Sequence, residues 1–310
     1  MIINFTKMHS LGNDFIIIDA ITQNIKLNGA YIKKIADRHV GIGCDQIIIL
    51  EPPINPSADF YYKVYNADGK SADQCLNGVR CAARFALDIG LIKKSSIIAE
   101  SVSGKIVLTV DNNSQVVIAN LGIIQPNIHE LSFKMSELNT VITLYNLSIG
   151  NNHAICVINN SIINNDFANK QRIEGLEHQI EDLDHQIEDL DHQIEGLEHQ
   201  IEDLDDQCYS LLADKIANNK ELFPQGVNIG FAKLLDDNKI QLRVFERGSG
   251  ETLACGSNAV AAFWVAKHLN LINDQLDIVF KLGNLNIKLL NEELITQGPV
   301  NSIFCGKFKI

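Results

Sequence analysis

NADGKSADQCLNGVRC (Asn66 to Cys81) and ERGSGETLACGSNA (Glu246 to Ala259) are the two stretches on which the reading of this chain turns. Each places a cysteine, Cys75 or Cys255, after a glycine-bearing turn and just ahead of an apolar, helix-like run. Shifting the chain by 180 positions (255 minus 75) lays Cys75 on Cys255, Ala82 on Ala262 and Leu91-Ile92 on Leu271-Ile272. A cysteine at a helix N-terminus feels the positive end of the helix dipole and the unpaired N–H groups there, both of which favour the thiolate. Two such positions in one chain indicate a duplicated unit that presents two thiols to one substrate. That arrangement suits taking a proton from one face of a carbon and returning one to the other.

Outward from those two segments, alternating apolar runs predict strands at Ile2 to Thr6, Phe15 to Asp19, Phe60 to Tyr65, Ile106 to Val110 and Val116 to Asn120. Helical patterns occupy Tyr31 to Arg38 and Asn77 to Leu87, the latter stopped by Gly90. The second half repeats the theme. Its strands are expected near Thr140 to Ser148, Ile155 to Asn159, Gly226 to Ala232, Lys239 to Phe245, Leu276 to Lys281 and Leu285 to Leu290, and its main helix from about Ser257 to Leu269. Each half is then mostly strands around one buried helix, an α+β pattern. The expected domains are 1–121, completed by 300–310, and 122–299, with a boundary near Pro126.

Residues 172–206 are a different object. Ile at 173, 180, 187, 194 and 201 and Leu at 176, 183, 190, 197 and 204 make a strict heptad, the a/d pairing of a parallel two-stranded coiled coil. As helix the segment would extend roughly 50 Å. Asp184 and Glu188 repel at i,i+4, whereas Glu181 and His185 attract only when the histidine is protonated. Two readings stand: a tandem expansion within a tolerant surface loop, or a self-association arm.

The net charge of −12 comes almost wholly from that segment, which holds fourteen Asp/Glu against one Arg; the remainder has 24 acids and 25 bases. No basic stripe for nucleic acid is present. No apolar stretch is long enough to span a bilayer, and MIINFTKMHS lacks a signal-peptide profile, so a cytoplasmic location is expected. Seven cysteines (44, 75, 81, 156, 208, 255 and 305) without CxxC spacing argue against both a disulfide framework and a zinc site.

The chemistry implied by paired thiols is proton transfer at a weakly acidic carbon, one sulfur as thiolate and the other as thiol. The N–H groups of Leu76 and Asn77 in one half, and of Gly256 and Ser257 in the other, can hold a carboxylate as charge flows onto it. No lysine stands in an obvious Schiff-base context and no phosphate-binding glycine loop is apparent, which points to a route without cofactor.

KMHSLGNDF (Lys7 to Phe15), GIGCDQ (Gly41 to Gln46), NADG before Cys75, GNNH (Gly150 to His153), FPQGVNIGF (Phe223 to Phe231) and ERGSGETLACG (Glu246 to Gly256) occur in that order. In this set the chain resembles the diaminopimelate epimerases, which interconvert LL- and meso-diaminopimelate in lysine and cell-wall precursor synthesis. The resemblance covers nearly everything except the repeat. It implies that Cys75 and Cys255 are the acid/base thiols, Cys75 as proton donor and Cys255 as proton acceptor, with His153 and Glu246 tuning them. Asn13, Gln46, Asn66, Asn151, Asn228 and Arg247 would contact substrate, with Arg247 suited to the distal carboxylate. It further implies a cofactor- and metal-free homodimer of two similar domains, each a curved sheet around a central helix.

Three positions depart from the family pattern. Leu76 stands where glycine is usual, adding a side chain beside the substrate, and a left-handed backbone there would be strained. CGSN replaces CGTG, placing Asn258 where glycine is usual, and GNNH replaces GNPH. The competing functions are a related cofactor-independent racemase, such as one acting on proline, and a weakened epimerase serving as a coiled-coil scaffold. Proline has no distal carboxylate for Arg247, and both thiols are intact.

Overall fold

The computed structural model describes residues 2–111, 113–135, 140–158 and 207–309; the heptad repeat at 172–206 lies outside them. The fold is α+β and is written twice. The first unit runs β1 (Ile2–Ser10), β2 (Asn13–Asp19), α1 (Gly29–Ala36), β3 (Gln46–Glu51), β4 (Phe60–Asn66), β5 (Ser71–Ala72), α2 (Leu76–Asp88), β6 (Ser96–Ser101), β7 (Gly104–Val110), β8 (Val116–Ile123) and β9 (His129–Met135). The second runs β10 (Thr140–Ile149), β11 (Asn151–Ile158), α3 (207–218), β12 (Asn228–Asp236), β13 (Lys239–Glu246), β14 (Gly250–Thr252), α4 (Gly256–His268), β15 (Gln275–Phe280), β16 (Gly283–Leu290), β17 (Glu293–Pro299) and β18 (Asn301–Lys309).

The pairings repeat with the elements. In the first unit β1–β2 is antiparallel, β2–β3 parallel, β3–β4 antiparallel and β4–β6 parallel. In the second, β10–β11, β11–β12, β12–β13 and β13–β15 follow the same order of directions. The units then exchange their last strands: β9 pairs with β10 of the second unit, and β18 crosses back to pair with β1. Residue 122, where the sequence suggested a change of half, lies inside β8, and β8 pairs with β17. All the strands therefore join one continuous sheet.

Strands buried on both faces read as unbroken apolar runs. In β2, Phe15 and Ile17 face one cluster with α2, while Ile16 and Ile18 face another with Ile32 and Ile35 of α1. In β11, Ile155 faces the first of these, while Ala154 and Cys156 meet Ala213 and Ile216 of α3. The two central helices share one apolar cluster, and α4 is buried around nearly its whole circumference, as its run of Ala, Val and Phe requires. Among the described residues no helix is long and apolar enough to cross a membrane.

A charge cluster ties down the β1–β2 turn. Asp14 accepts from Lys7 Nζ at 2.5 Å, from both terminal nitrogens of Arg38 at 2.8 and 3.0 Å, and from the Asp45 backbone N–H at 2.8 Å. Burial alone would raise its pKa, but Arg38, Lys7 and the Asp45 N–H more than offset that and hold it at about 2. A carboxylate held below its unfolded value stabilises the fold above about pH 4, and that contribution, about 2 kcal/mol, drains away as pH falls through 2. Asp14→Asn is expected to cost about 3 kcal/mol at neutral pH, because Lys7 is left buried without its partner. Urea unfolding from pH 7 to 2 should show the variant losing less stability on acidification than the parent.

Candidate active site

The two units deliver their candidate residues from matching places. Asn13 opens β2 and Asn151 opens β11; Gln46 opens β3 and Asn228 opens β12; Asn66 closes β4 and Glu246 closes β13. The parallel register sets Phe15 opposite Gln46, and His153 opposite Asn228. Gln46 in turn lies opposite Asn66. Cys75 and Cys255 are the N-cap residues of α2 and α4, both extended, with φ of −141° and −134°.

The helices meet end to end at their N-termini. A Cβ built on Gly256 would stand 2.9 Å from Leu76 Cβ and 3.3 Å from Asn77 Oδ1, so only glycine permits this approach. Leu76 itself is the first residue of α2 and lacks a positive φ, so the strain expected at this departure from the family pattern does not arise. The glycine that closeness demands is Gly256, and Leu76 fills the space opposite it. Asn77 spans the seam, its Nδ2 lying 3.3 Å from Asn13 Oδ1 and 3.4 Å from the carbonyl of Ala254, the neighbour of Cys255.

Around the sulfurs the environments differ. Cys75 Sγ accepts from the Gly78 N–H at 3.3 Å and lies 3.9 Å from Asn13 Oδ1. Cys255 makes no such cap bond; its Sγ is 3.4 Å from Ser257 Oγ and it hydrogen-bonds Glu246. Burial pushes the Cys75 thiol up to about 12; the Gly78 N–H and Arg80 act against that, and Glu246 adds to it. Burial, and then Glu246, push Cys255 well above its usual range as well, and the Cys75 charge contributes, which fits two sulfurs sharing one enclosure. Glu246 is itself raised, by burial first, and Thr252 Oγ1 donates to its Oε1 at 2.6 Å.

The periphery is polar and oriented. Gln46 Nε2 donates to Asn66 Oδ1 at 2.9 Å. Asn228 Oδ1 accepts the Arg247 backbone N–H at 2.9 Å, and Arg247 Nη1 donates to the carbonyl of Gln225 at 2.6 Å, leaving the rest of an exposed guanidinium for a ligand. His153 is fully buried and neither ring nitrogen finds a partner among the described residues; burial lowers its pKa to about 4. Asn258 is equally buried, its amide pressed against β12 where a Cβ on Gly230 would meet Oδ1 at 2.2 Å. Asn151 is exposed at its turn. Sequence reading missed Thr252, Asp45 and Arg80, though each lies within or beside the quoted motifs; what singles them out is a contact, not a spacing.

The sequence profile described as Diaminopimelate epimerase matches residues 5–125 and 195–303. The chain belongs to the diaminopimelate epimerase family. The interval the profile skips takes in most of the heptad repeat. Among solved structures the fold is similar to a phenazine biosynthesis protein of the PhzF family from Bacillus anthracis, with TM-score 0.64 and 14% identity over 100% of both chains. It is also similar to a hydroxyproline epimerase from Agrobacterium vitis, at 0.64 and 11% over 99% of this chain and 92% of that one. A methylitaconate-delta-isomerase follows at 0.55 and 13%, over 99% and 95%. The family places the chain among isomerases, and the neighbours show the fold.

Two outcomes follow from this geometry. Gly256→Ala is expected to push the helix ends apart and slow the reaction roughly a hundredfold, and Leu76→Gly in the same chain should restore much of the rate, as a double-mutant cycle would read. His153, buried neutral with its pKa below the usual 6.5, stabilises fully above that pH and loses this contribution, about 3 kcal/mol, as pH falls through 4. His153→Phe, which installs the residue found at the matching Phe15, should flatten that part of the stability–pH curve.

Proposed function

We propose that the protein epimerises LL-diaminopimelate to meso-diaminopimelate by two-base proton transfer between Cys75, Cys255 and the α-carbon, as a homodimer. The observation that carries the reading is that two helix N-termini, each capped by a cysteine, approach so closely that only a glycine fits between them.

In the proposed reaction the α-carboxylate lies between the helix ends, against the N–H groups of Leu76, Asn77, Gly256 and Ser257. One sulfur, as thiolate, takes the α-proton; the electron pair left on carbon spreads into the carboxylate, where the amides stabilise it. The other sulfur, as thiol, gives its proton to the opposite face and becomes the thiolate. The two sulfurs thereby exchange states, and a second turnover in the same direction needs a proton relay back, for which Glu246 beside Cys255 is suited. Buried thiols with high pKa values must lose a proton before they act, and the α-ammonium of a bound amino acid is a positive charge that favours the loss.

Selection for diaminopimelate rests on the side that breaks the duplication. Asn66 is neutral where Glu246 is acidic, and Arg247 follows Glu246 whereas Ala67 follows Asn66. A guanidinium held by its own stem and by the Gln225 carbonyl is a fit receptor for a second, distal carboxylate. A proline-like substrate would leave it unused.

The experiment is solvent-deuterium incorporation. Label is expected at the α-carbon of diaminopimelate and not of proline, and Cys75→Ala or Cys255→Ala should each abolish epimerisation. Label in proline alone would reassign the substrate, and full activity in either alanine variant would remove the two-base scheme.

A further inference from the structure

Among the described residues Arg80 is the largest fully buried side chain, and it faces no carboxylate that would neutralise it. It sits on α2, one turn beyond Asn77. Its Nη2 donates to Asn77 Oδ1 at 2.5 Å and to Ser10 Oγ at 3.3 Å, while Nε and Nη1 find no partner among the described residues. Leaving a guanidinium buried and half-satisfied is costly, and an apolar residue of similar shape would be the more stable choice. At the matching position of α4 that choice has been made: residue 260 is Val260. The cation is therefore a feature of the Cys75 side alone.

We propose that Arg80 is a positioning residue of the two-thiol site, its buried charge working with the Asp45 carboxylate to fix the Asn77 and Asn13 amides beside Cys75. The contacts form a chain with a charge at each end. Asn77 must turn its oxygen to the guanidinium, since the reverse orientation would set N–H donors against each other. Its Nδ2 is thereby aimed at Asn13 Oδ1 and at Ala254 O across the seam. Asn13 must then offer its oxygen to Asn77, and its own Nδ2 donates to Asp45 Oδ2 at 3.0 Å. The result is that Asn13 Oδ1 faces Cys75 Sγ, and the α4 end of the seam is latched to the α2 end.

The same chain holds the strand crossover in place: Ser10 Oγ, which accepts from Arg80, donates to the carbonyl of Pro299 at 2.8 Å, just where the backbone leaves β17 for β18. Among the described residues the groups whose fields reach Cys75 are Arg80 and Cys81 on its own helix, Glu246 on β13, Tyr62 on β4 and Cys255 at the head of α4. Of these Arg80 is the one cation. Its charge opposes the burial that disfavours the Cys75 thiolate.

The proposal rests on the two-thiol reading, so the test uses one readout that needs a substrate and one that does not. Alkylation of Cys75 by iodoacetamide, followed peptide by peptide over a pH series in the full-length protein, reports the thiolate without any substrate. Arg80→Met is expected to move the alkylation midpoint to higher pH, slowing alkylation at neutral pH about tenfold. It should also lower kcat for deuterium exchange by roughly tenfold or more, with a smaller change in KM. Arg80→Lys is expected to return the midpoint towards that of the parent while kcat stays low, because a single ammonium cannot reproduce the fork. A folded Arg80→Met with the parental midpoint and kcat would overturn the proposal. Should Arg80→Met not fold, Arg80→Lys with the parental kcat does the same. If the parent labels no diaminopimelate, the proposed substrate fails, and the alkylation profiles still decide the role of Arg80.

Discussion

Two helices pointing their N-termini at each other is an unfavourable arrangement in isolation, because the positive ends of two dipoles converge and their first N–H groups lack partners. The Leu76–Gly256 contact brings α2 and α4 together in that way, and the surrounding architecture can be read as what makes it tolerable. Both helices are sheathed by strands and share one apolar cluster, so moving either would expose its sides. The exchange of β9 and β18 ties each unit to the other's first strand, which resists their parting. What remains uncompensated is a concentration of positive potential at the seam. An anion offsets it, and thiolate and carboxylate are the anions this chemistry supplies.

Duplication supplies the geometry and its violations supply the chemistry. A strictly twofold site would hold two equal thiols and bind a symmetric ligand equally well either way round. Here Asn66 is matched by Glu246, Phe15 by His153, Arg80 by Val260 and Leu76 by Gly256. The cation lies behind Cys75 and the acid beside Cys255; Glu246 pushes both thiols up, whereas Arg80 acts against that push at Cys75 alone, so the two sulfurs experience unequal fields. That asymmetry distinguishes the two sides of the seam, and among the described residues it leaves Arg80 half-satisfied and both ring nitrogens of His153 without a partner.

Much of this was legible from the residues because the segments that matter are local. A turn, a cysteine and an Ala-rich run specify an N-capped helix within a dozen positions, and the strands with alternating or unbroken apolar runs, such as β2 and β13, declare themselves. Strands β3, β5, β6, β9, β14 and β17 and helix α3 were not anticipated. β3 (QIIILE) carries an apolar run as strong as that of β2, but lies between turn signals that gave no partner. β9 (HELSFKM) and β17 (ELITQGP) have weak patterns that do not mark them as strands, although each has a pairing partner beside it in the chain; β17 is held also by β8 of the other unit, which no local window contains. The orienting groups Thr252, Asp45 and Arg80 were hidden for the same reason, since their meaning lies in the hydrogen bonds of neighbours distant in sequence or on the next turn of helix.

The position of the heptad repeat fits this division between a fixed seam and a permissive periphery. It enters between β11 and α3, in the connection that corresponds to the link from β2 to α1. β11 begins at Asn151 and His153, the end that faces the site, and its last described residue is Ile158. At ~3.3 Å per residue the five residues from His153 to Ile158 carry the chain about 17 Å along the strand. α3 then returns over the outer face, where Ala213 and Ile216 pack on Ala154, Cys156 and Phe231 and not on the shared central cluster. The described residues on either side of the repeat are thus the far end of β11 and an outer-layer helix. An added segment beyond the far end of β11 need not perturb the pairing of β11 with β12, which sets His153 opposite Asn228 at the end that faces the candidate site.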